Sequence, residues 1–117
     1  MEDALTRAFA YVEAGADGIM IHSRKKTADE IIEFCDKFRA KYSDIPIVVV
    51  PTSYNYITEA ELAAHGVNIV IYANQLTRSA FPAMENTAKE ILKNHRALEV
   101  DSKLMPFKDI ITLIDEL

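Results

Sequence analysis

The sequence predicts an α/β fold in which three short parallel strands alternate with helices. Three apolar runs indicate the strands, because each is short and uninterrupted by charged residues: residues 18–21, 47–50 and 67–71. Runs without polar alternation are typical of parallel strands that are covered on both faces. The segments between them show the helical spacing of apolar residues. This order leaves two architectures open, a doubly wound sheet and a piece of a (β/α)-barrel.

Three strands are too few to complete either architecture. A closed barrel needs eight strands and about 250 residues, whereas the chain has 117 residues. An open three-stranded sheet leaves two hydrogen-bonding edges exposed, and such edges tend to pair with other chains. We therefore expect this chain to be incomplete by itself and to associate with a partner or with copies of itself.

Two helices flank the first strand. The first is predicted over residues 3–14 and ends at Gly15, a common helix stop. The second is predicted from a capping box, Thr27–Glu30, to about residue 42. Cys35 lies on the apolar face of this second helix. We interpret it as a small core residue rather than a nucleophile, and a single cysteine cannot form a disulfide within the chain.

Two further helices flank the third strand. A second capping box, Thr58–Glu61, starts a short helix that ends at Gly66. A long helix is predicted over residues 78–94, with Pro82 in its first turns, where proline is tolerated. Its inward face is predicted to carry Ala80, Met84, Ala88, Ile91 and Leu92.

The end of the chain has a different character. Residues 96–103 are predicted to be irregular, and residues 104–117 are predicted to form a final helix with an apolar face of Phe107, Ile110, Ile111, Ile114 and Leu117. Such a helix must pack on its own domain or on a neighbour's. We predict one partial-barrel domain over residues 1–117, with βα repeats over 1–103 followed by this helix.

Charge and hydropathy argue against two classes of function. The net charge is −5 and no basic run is longer than Arg24–Lys26, which argues against nucleic-acid binding. No apolar run approaches the length of a membrane span. The acidic N-terminus lacks the basic start and apolar core of a signal peptide. We expect a soluble, cytoplasmic protein without a nucleic-acid or membrane partner.

The residues that follow the three strands are expected to share one edge of the sheet, where chemistry collects in α/β proteins. They carry hydroxyl, amide, imidazole and cationic groups: His22, Ser23, Arg24, Lys25 and Lys26, then Thr52, Ser53, Tyr54 and Tyr56, then Tyr72, Asn74, Gln75 and Arg78. Together with helix N-termini, such a surface suits a ligand with phosphate or carboxylate groups. His22 is the first functional candidate. His65 and His95, at helix ends, are interpreted as structural, and Tyr54 and Tyr56 as loop packing or lid aromatics.

Carboxylates are missing from this predicted edge. The first acid after the first strand is Asp29, which the capping box explains, and Glu30 is assigned to a solvated helix face. Asp17 precedes the first strand and is therefore expected at the opposite edge. Because Mg²⁺ is bound through carboxylate oxygens, we predict no metal ligand in this chain.

Several segments together resemble the phosphoenolpyruvate mutase and phosphonopyruvate hydrolase branch of the isocitrate lyase superfamily. They run through the whole chain in order: Ala10-Tyr11, Ala14 to Lys26 (AGADGIMIHSRKK), Val48 to Thr52 (VVVPT), Val67 to Asn74 (VNIVIYAN), Arg78, and Lys103 to Ile110 (KLMPFKDI). Members of this branch are (β/α)8 (TIM) barrels and are much longer. The resemblance covers only their C-terminal portion, from the helix before the sixth strand.

The resemblance implies a function for the complete barrel. Family enzymes act on small 2-oxo acids, with Mg²⁺ stabilising a pyruvate enolate. The mutase interconverts phosphoenolpyruvate and phosphonopyruvate, and the hydrolase cleaves phosphonopyruvate to pyruvate and phosphate. His22 matches the active-site histidine that contacts the transferred phosphoryl group. We therefore predict His22 as catalytic, and as substrate-binding residues His22, Ser23, Lys25, Thr52 and Asn74.

The same resemblance implies what this chain lacks. The metal-binding acids, the mobile catalytic loop and the substrate-binding arginine of the family lie in the portion that is absent here. The loop over residues 51–56 (PTSYNY) also departs from the usual Pro-Thr-Lys-Tyr-Tyr. We expect no turnover by this chain alone. Its expected partner is the missing N-terminal half or further copies, since members commonly exchange their last helices between subunits.

Three functions remain open at this point. The chain is expected to belong to a phosphoenolpyruvate mutase, with a phosphonopyruvate hydrolase or another 2-oxo-acid lyase of the superfamily as the alternative. The competing class is a non-catalytic half-barrel that serves as an interaction or scaffold module. The sequence does not distinguish the enzymes, because the residues that discriminate them are not in this chain.

Overall fold

The computed structural model describes residues 1–113, which form two compact units that divide between Ala73 and Asn74. The first unit contains the sheet and the helices around it, and the second contains the long helix and the segments that follow. The predicted single domain, with a boundary at residue 103, stays a prediction. No helix in the described part of the chain is long and apolar enough to cross a membrane.

The first unit alternates helices and strands in the predicted order. Its elements are α1 (Glu2–Glu13), β1 (Ile19–Ile21), α2 (Asp29–Arg39), β2 (Ile47–Val49), α3 (Glu59–Ala64) and β3 (Ile69–Val70). The strands pair in parallel in the order β1-β2-β3, so each neighbour in sequence is a neighbour in the sheet. The predicted parallel sheet is confirmed, and each strand is shorter than its apolar run.

The sheet has a covered face and an open face. Ile19, Ile47 and Val49 are buried against the helices. Met20 pairs with Val48 and Val48 with Ile69, so these three residues form a row on the other face. Met20 is 58% exposed and Ile69 is 48% exposed. The prediction that the strands are covered on both faces is therefore wrong for the described residues, because the helices of this unit pack on one side only.

The core of the first unit is built on α2. Phe34, Cys35 and Phe38 are fully buried along one side of this helix. The ring of Phe38 lies 5.8 Å from that of Phe34 and 5.9 Å from that of Phe9 on α1. Burial raises the pKa of the Cys35 thiol to about 11, so the thiolate needed for nucleophilic attack does not form near neutral pH. The interpretation of Cys35 as a core residue is confirmed.

One of the two predicted capping boxes forms. Thr58 accepts a hydrogen bond from the backbone N–H of Glu61, whose carboxylate accepts the backbone N–H of Thr58 in return. The prediction of a capping box at Thr27–Glu30 is wrong. The N-cap of α2 is Ala28, and no side chain caps this helix. The reason is that the Glu30 carboxylate is bound by side chains that follow β1, as described below.

The second unit is helical. Its elements are α4 (Gln75–Asn94), a 3₁₀ helix (Leu98–Lys103) in place of the predicted irregular segment, and α5 (Phe107–Ile111). Because α4 begins three residues before its predicted start, Pro82 lies in its third turn rather than in its first turns. Ile114 and Leu117 of the predicted final helix lie outside the described residues.

The predicted inward face of α4 is wrong for the described residues. Ala80, Met84, Ala88, Ile91 and Leu92 are all exposed, and α4 has no buried residue. The 3₁₀ helix packs on α4, and Val100 is its buried residue. At the end of α4, His95 adopts a left-handed backbone conformation with φ 52°, in line with its structural interpretation.

Candidate functional site

His22 and Ser23 continue β1 at its carboxyl end, and they differ in burial. Side chains alternate between the two faces of a strand, so His22 continues the open face of Met20 and Ser23 the face of Ile21. His22 is exposed, whereas Ser23 is only 7% exposed. The predicted placement of His22 at the tip of the first strand is confirmed. An exposed imidazole on the open face of the sheet is accessible to a ligand approaching from that side.

A hydrogen-bonded cluster lies next to His22. The Ser23 hydroxyl donates to Glu30 Oε2 over 2.7 Å and accepts the backbone N–H of Lys25 over 3.1 Å. The ammonium of Lys25 contacts Glu30 Oε1 at 2.6 Å. A carboxylate therefore does reach this edge of the sheet, and the assignment of Glu30 to a solvated helix face is wrong. Sequence reasoning missed it because the same residue completes the spacing of a capping box.

The cluster fixes the charge states of its members. The hydrogen bond from Lys25, followed by that from Ser23, holds the pKa of Glu30 below its usual range. The hydrogen bond to Glu30 raises the pKa of Lys25. Both groups are therefore charged near neutral pH and compensate each other. Arg24 and Lys26 have no ion pair among residues 1–113, so the segment retains a net positive charge.

The loop after β2 lies at the same edge of the sheet. Thr52 is partly exposed, and its backbone N–H donates to the carbonyl of Val50. Tyr54 is fully buried, and burial raises the pKa of its hydroxyl to about 12. The hydroxyl of Tyr56 accepts the backbone N–H of Ala28 over 3.0 Å. Both tyrosines therefore serve packing and loop contacts, which favours the loop-packing interpretation over the lid.

Asn74 belongs to the second unit, where it is the N-cap residue of α4. Its side chain does not cap the helix, and its Oδ1 lies 3.5 Å from Nη1 of Arg78. Tyr72 is the first of the predicted edge residues after β3. Its hydroxyl donates a hydrogen bond to Glu59 over 2.8 Å. The structure thus brings His22, Ser23 and Lys25 together, places Thr52 at the same edge, and presents Asn74 in a separate unit.

Comparisons with known proteins identify the family of this chain. Residues 1–92 match the family described as phosphoenolpyruvate phosphomutase. The chain belongs to this family. It is 44% identical to the phosphonopyruvate hydrolase of Variovorax sp. (strain Pal2) over 113 residues, which are 96% of this chain and 38% of the relative. The chain thus spans little more than a third of the length of that relative.

Solved structures of the phosphomutase family show the same fold. The crystal structure of phosphoenolpyruvate phosphomutase from Streptomyces platensis subsp. rosaceus superposes with a TM-score of 0.87 at 34% identity, over 94% of this chain and 37% of that one. A phosphonopyruvate hydrolase in complex with oxalate and Mg²⁺ superposes with a TM-score of 0.83 at 43% identity, over 94% and 38%. The three parallel strands and their helices are therefore part of a (β/α)-barrel.

The magnesium of the phosphomutase family does not fit the donor set of residues 1–113. No group of three histidine, cysteine or carboxylate side chains that could hold a metal occurs within the described residues. The one carboxylate beside His22, that of Glu30, is engaged by Ser23 and Lys25. Mg²⁺ prefers several carboxylate or water oxygens in octahedral geometry. The residues at this edge offer donors for an anion instead.

Proposed function

We propose that this chain forms the anion-binding part of the active site of a phosphoenolpyruvate mutase, as the C-terminal part of a complete barrel. The observation that supports the proposal is the exposed position of His22 directly after the carboxyl end of β1, beside the cationic segment 24–26. Active sites of barrel enzymes lie at this end of the strands. The substrate would be phosphoenolpyruvate or phosphonopyruvate.

The chemistry of these residues suits phosphoryl transfer. A phosphoryl group in transfer passes through a loose transition state with charge on its three peripheral oxygens, so catalysis rests on positioning and charge stabilisation. His22 would donate a hydrogen bond to one of these oxygens, with the hydroxyl of Thr52 as a further contact. Asn74, in the second unit, stays a predicted substrate-binding residue. Arg24 and Lys26 would contribute positive potential. Ser23 and Lys25 would act through Glu30, to which both are bound.

The remaining parts of the site would come from outside this chain. Residues 1–113 offer no group of ligands for magnesium, and we propose that the metal ligands belong to the rest of the barrel and that this chain alone has no turnover. Within residues 1–113, the outer edges of β1 and β3 pair with no further strand. An open depression of about 460 Å³ lies along β1, lined by Tyr11, Gly18 and Met20 among others. We propose that the preceding part of the barrel covers this face and edge.

Phosphonopyruvate hydrolysis is the second candidate, because the chain is 44% identical to the Variovorax hydrolase over nearly the whole length of this chain. Both reactions require the phosphoryl contact that we assign to His22. They differ in the acceptor of the phosphoryl group, which is the pyruvate enolate in the mutase and water in the hydrolase.

Fragment complementation tests whether this chain can form the anion-binding part of an active site. The chain is co-expressed with the part of the Variovorax hydrolase that it does not match, and ³¹P NMR follows phosphonopyruvate in the presence of Mg²⁺. Formation of either phosphoenolpyruvate or inorganic phosphate supports the proposal, and the residues of the complementing fragment decide which of the two products forms. A stable homo-oligomer that gives no product with any complementing fragment would favour the scaffold function.

Substitution of His22 gives the sharper result. His22→Ala in the active complex is expected to lower kcat by about 10²–10³, the usual cost of removing one donor that stabilises transition-state charge. His95→Asn is the matched control, because asparagine tolerates the left-handed backbone conformation of that residue. Equal activity of the His22→Ala complex and the unsubstituted complex would exclude His22 from the site.

A further inference from the structure

The chain contains the same sequence motif twice, and the two copies are used differently. Thr58–Glu61 forms a reciprocal capping box at the start of α3. Thr27–Glu30 has the same Thr-x-x-Glu spacing at the start of α2 but forms no box. Its glutamate contacts Ser23 and Lys25 instead. The glutamate of this motif, Glu30, therefore binds the segment that follows β1 instead of capping α2.

The contacts of Glu30 close a ring around this segment. Both carboxylate oxygens are used, Oε2 by the Ser23 hydroxyl and Oε1 by the Lys25 ammonium. The Ser23 hydroxyl in turn accepts the Lys25 backbone N–H. The side chain of one helical residue thus contacts the side chains of Ser23 and Lys25, and the Ser23 hydroxyl links it to the backbone N–H of Lys25. His22 precedes the held segment directly, and Arg24 lies within it.

We propose that Glu30 is a positioning residue, which holds the segment from His22 to Lys26 in its binding conformation before a ligand arrives. This inference deepens the proposed function and rests on it for the identity of the ligand. A loop that is already ordered loses less conformational entropy on binding. The charge of Glu30 argues for this role, since a carboxylate beside an anion site is unfavourable unless it serves to order the site.

The two effects of Glu30 predict opposite outcomes for its removal. As a negative charge, Glu30 repels an anion, so its loss would strengthen anion binding. As a positioning residue it orders the binding segment, so its loss would weaken binding. Glu30→Ala removes both the charge and the acceptor, whereas Glu30→Gln removes the charge and keeps an oxygen that accepts the Ser23 hydroxyl. Glu33→Ala is the matched control, because Glu33 lies on the same helix and pairs with Lys37 at 2.6 Å.

The first measurement needs no ligand. Backbone ¹⁵N relaxation of the 117-residue chain reports the order of the N–H groups of residues 23–25. We expect order parameters of about 0.85 in the unsubstituted chain and below about 0.6 in Glu30→Ala. Glu33→Ala and Glu30→Gln are expected to stay near the unsubstituted value. Unchanged order in Glu30→Ala would overturn the proposal.

The second measurement uses methylphosphonate as the probe, in a chemical-shift titration of the same variants. Ordering one residue costs about 1 kcal/mol, equivalent to about a fivefold change in affinity. We therefore expect Glu30→Ala to bind about fivefold more weakly and Glu30→Gln to bind at least as tightly as the unsubstituted chain. Tighter binding by Glu30→Ala would overturn the proposal, because charge alone would then explain Glu30.

The two measurements separate failure of this inference from failure of the proposed function. If methylphosphonate shifts no resonance of residues 22–26 while Glu30→Ala still disorders them, the anion site is refuted and the ordering role stands. If His22→Ala abolishes probe binding while Glu30→Ala changes neither order nor affinity, the anion site stands and the positioning role is refuted.

Discussion

The two ends of the sheet differ in how their polar groups are used. At the amino end, the guanidinium of Arg39 donates to the carbonyls of Gly66 and Ile45 and to Oδ1 of Asn68, among other acceptors. At the carboxyl end, Glu30 binds two side chains of a segment whose other charges remain exposed. Both residues lie on α2, near its opposite ends. The first set joins a guanidinium to neutral acceptors, and the second joins a carboxylate to a hydroxyl and an ammonium group.

The difference indicates that the polar groups at the amino end of the sheet stabilise the fold, and it favours the carboxyl end as the place of the active site. Carbonyl groups before β2 and β3 need a donor, and one arginine supplies it to several of them at once. Arg24 and Lys26, two cationic residues after β1, have no ion pair among residues 1–113, and we propose that they face the ligand. In barrel enzymes the amino end of the strands serves stability and the carboxyl end carries the active site. Even a third of the barrel displays this division.

The largest effect is expected at the amino end. Arg39→Met is expected to lower the free energy of unfolding by about 3 kcal/mol, because several backbone carbonyls lose their donor. Arg39→Lys should recover only part of this, since an ammonium cannot reproduce the planar fork of the guanidinium. Urea denaturation followed by circular dichroism measures both. Lys37→Met, which removes an exposed cation of the same helix, is the control and should leave stability unchanged.

The dependence of stability on pH tests the packing of α2 around Cys35, between the two ends of the helix. Burial raises the pKa of Cys35 from 9.0 to about 11. Between these values the unfolded chain loses the thiol proton while the folded chain keeps it, so stability falls as the pH rises. At pH 10 the loss from this group is about 1.4 kcal/mol. Cys35→Ala should therefore show a smaller decrease in unfolding free energy from pH 8 to pH 10. Equal decreases in the two proteins would show that the thiol is accessible to water.

The two Thr-x-x-Glu motifs allow a direct contrast between a cap and a diverted glutamate. Thr58→Ala is expected to cost about 1 kcal/mol of stability, the usual value for an N-cap residue. Thr27→Ala should change stability by less than about 0.5 kcal/mol, because Thr27 caps no helix. Thermal denaturation of the two single variants makes the comparison. A larger loss from Thr27→Ala than from Thr58→Ala would mean that the first motif caps α2 after all.

The sequence predicted the parts of the fold that depend on local pattern. The three strands, the box at Thr58 and the burial of Cys35 all follow from apolar runs, spacing and helical periodicity. The position of His22 followed from counting along one strand. These features need no knowledge of distant contacts.

The sequence could not predict the features that depend on tertiary contacts. The spacing of Thr27 and Glu30 is that of a capping box. Glu30 does not cap the helix because the tertiary fold brings its carboxylate next to Ser23 and Lys25, after β1. The apolar stripe of α4 indicates that a surface is suited to burial, but not what covers it. In the same way, the apolar row on the open face of the sheet carries no information about its partner.

The smallest effect is expected among the cations at the carboxyl end. Arg24 and Lys26 have no ion pair within residues 1–113, whereas Lys25 is paired with Glu30. Arg24→Met and Lys26→Met are each expected to weaken methylphosphonate binding by about threefold at low salt, because an exposed charge near an anion contributes little in water. The difference should vanish at high ionic strength.

The double variant Lys25→Met/Glu30→Gln removes a neutral pair and keeps an acceptor for Ser23, so its affinity should stay within about twofold. If the double variant lost more affinity than either single variant, Lys25 itself would contact the anion, and the carboxyl end would use its charges differently from the division drawn above.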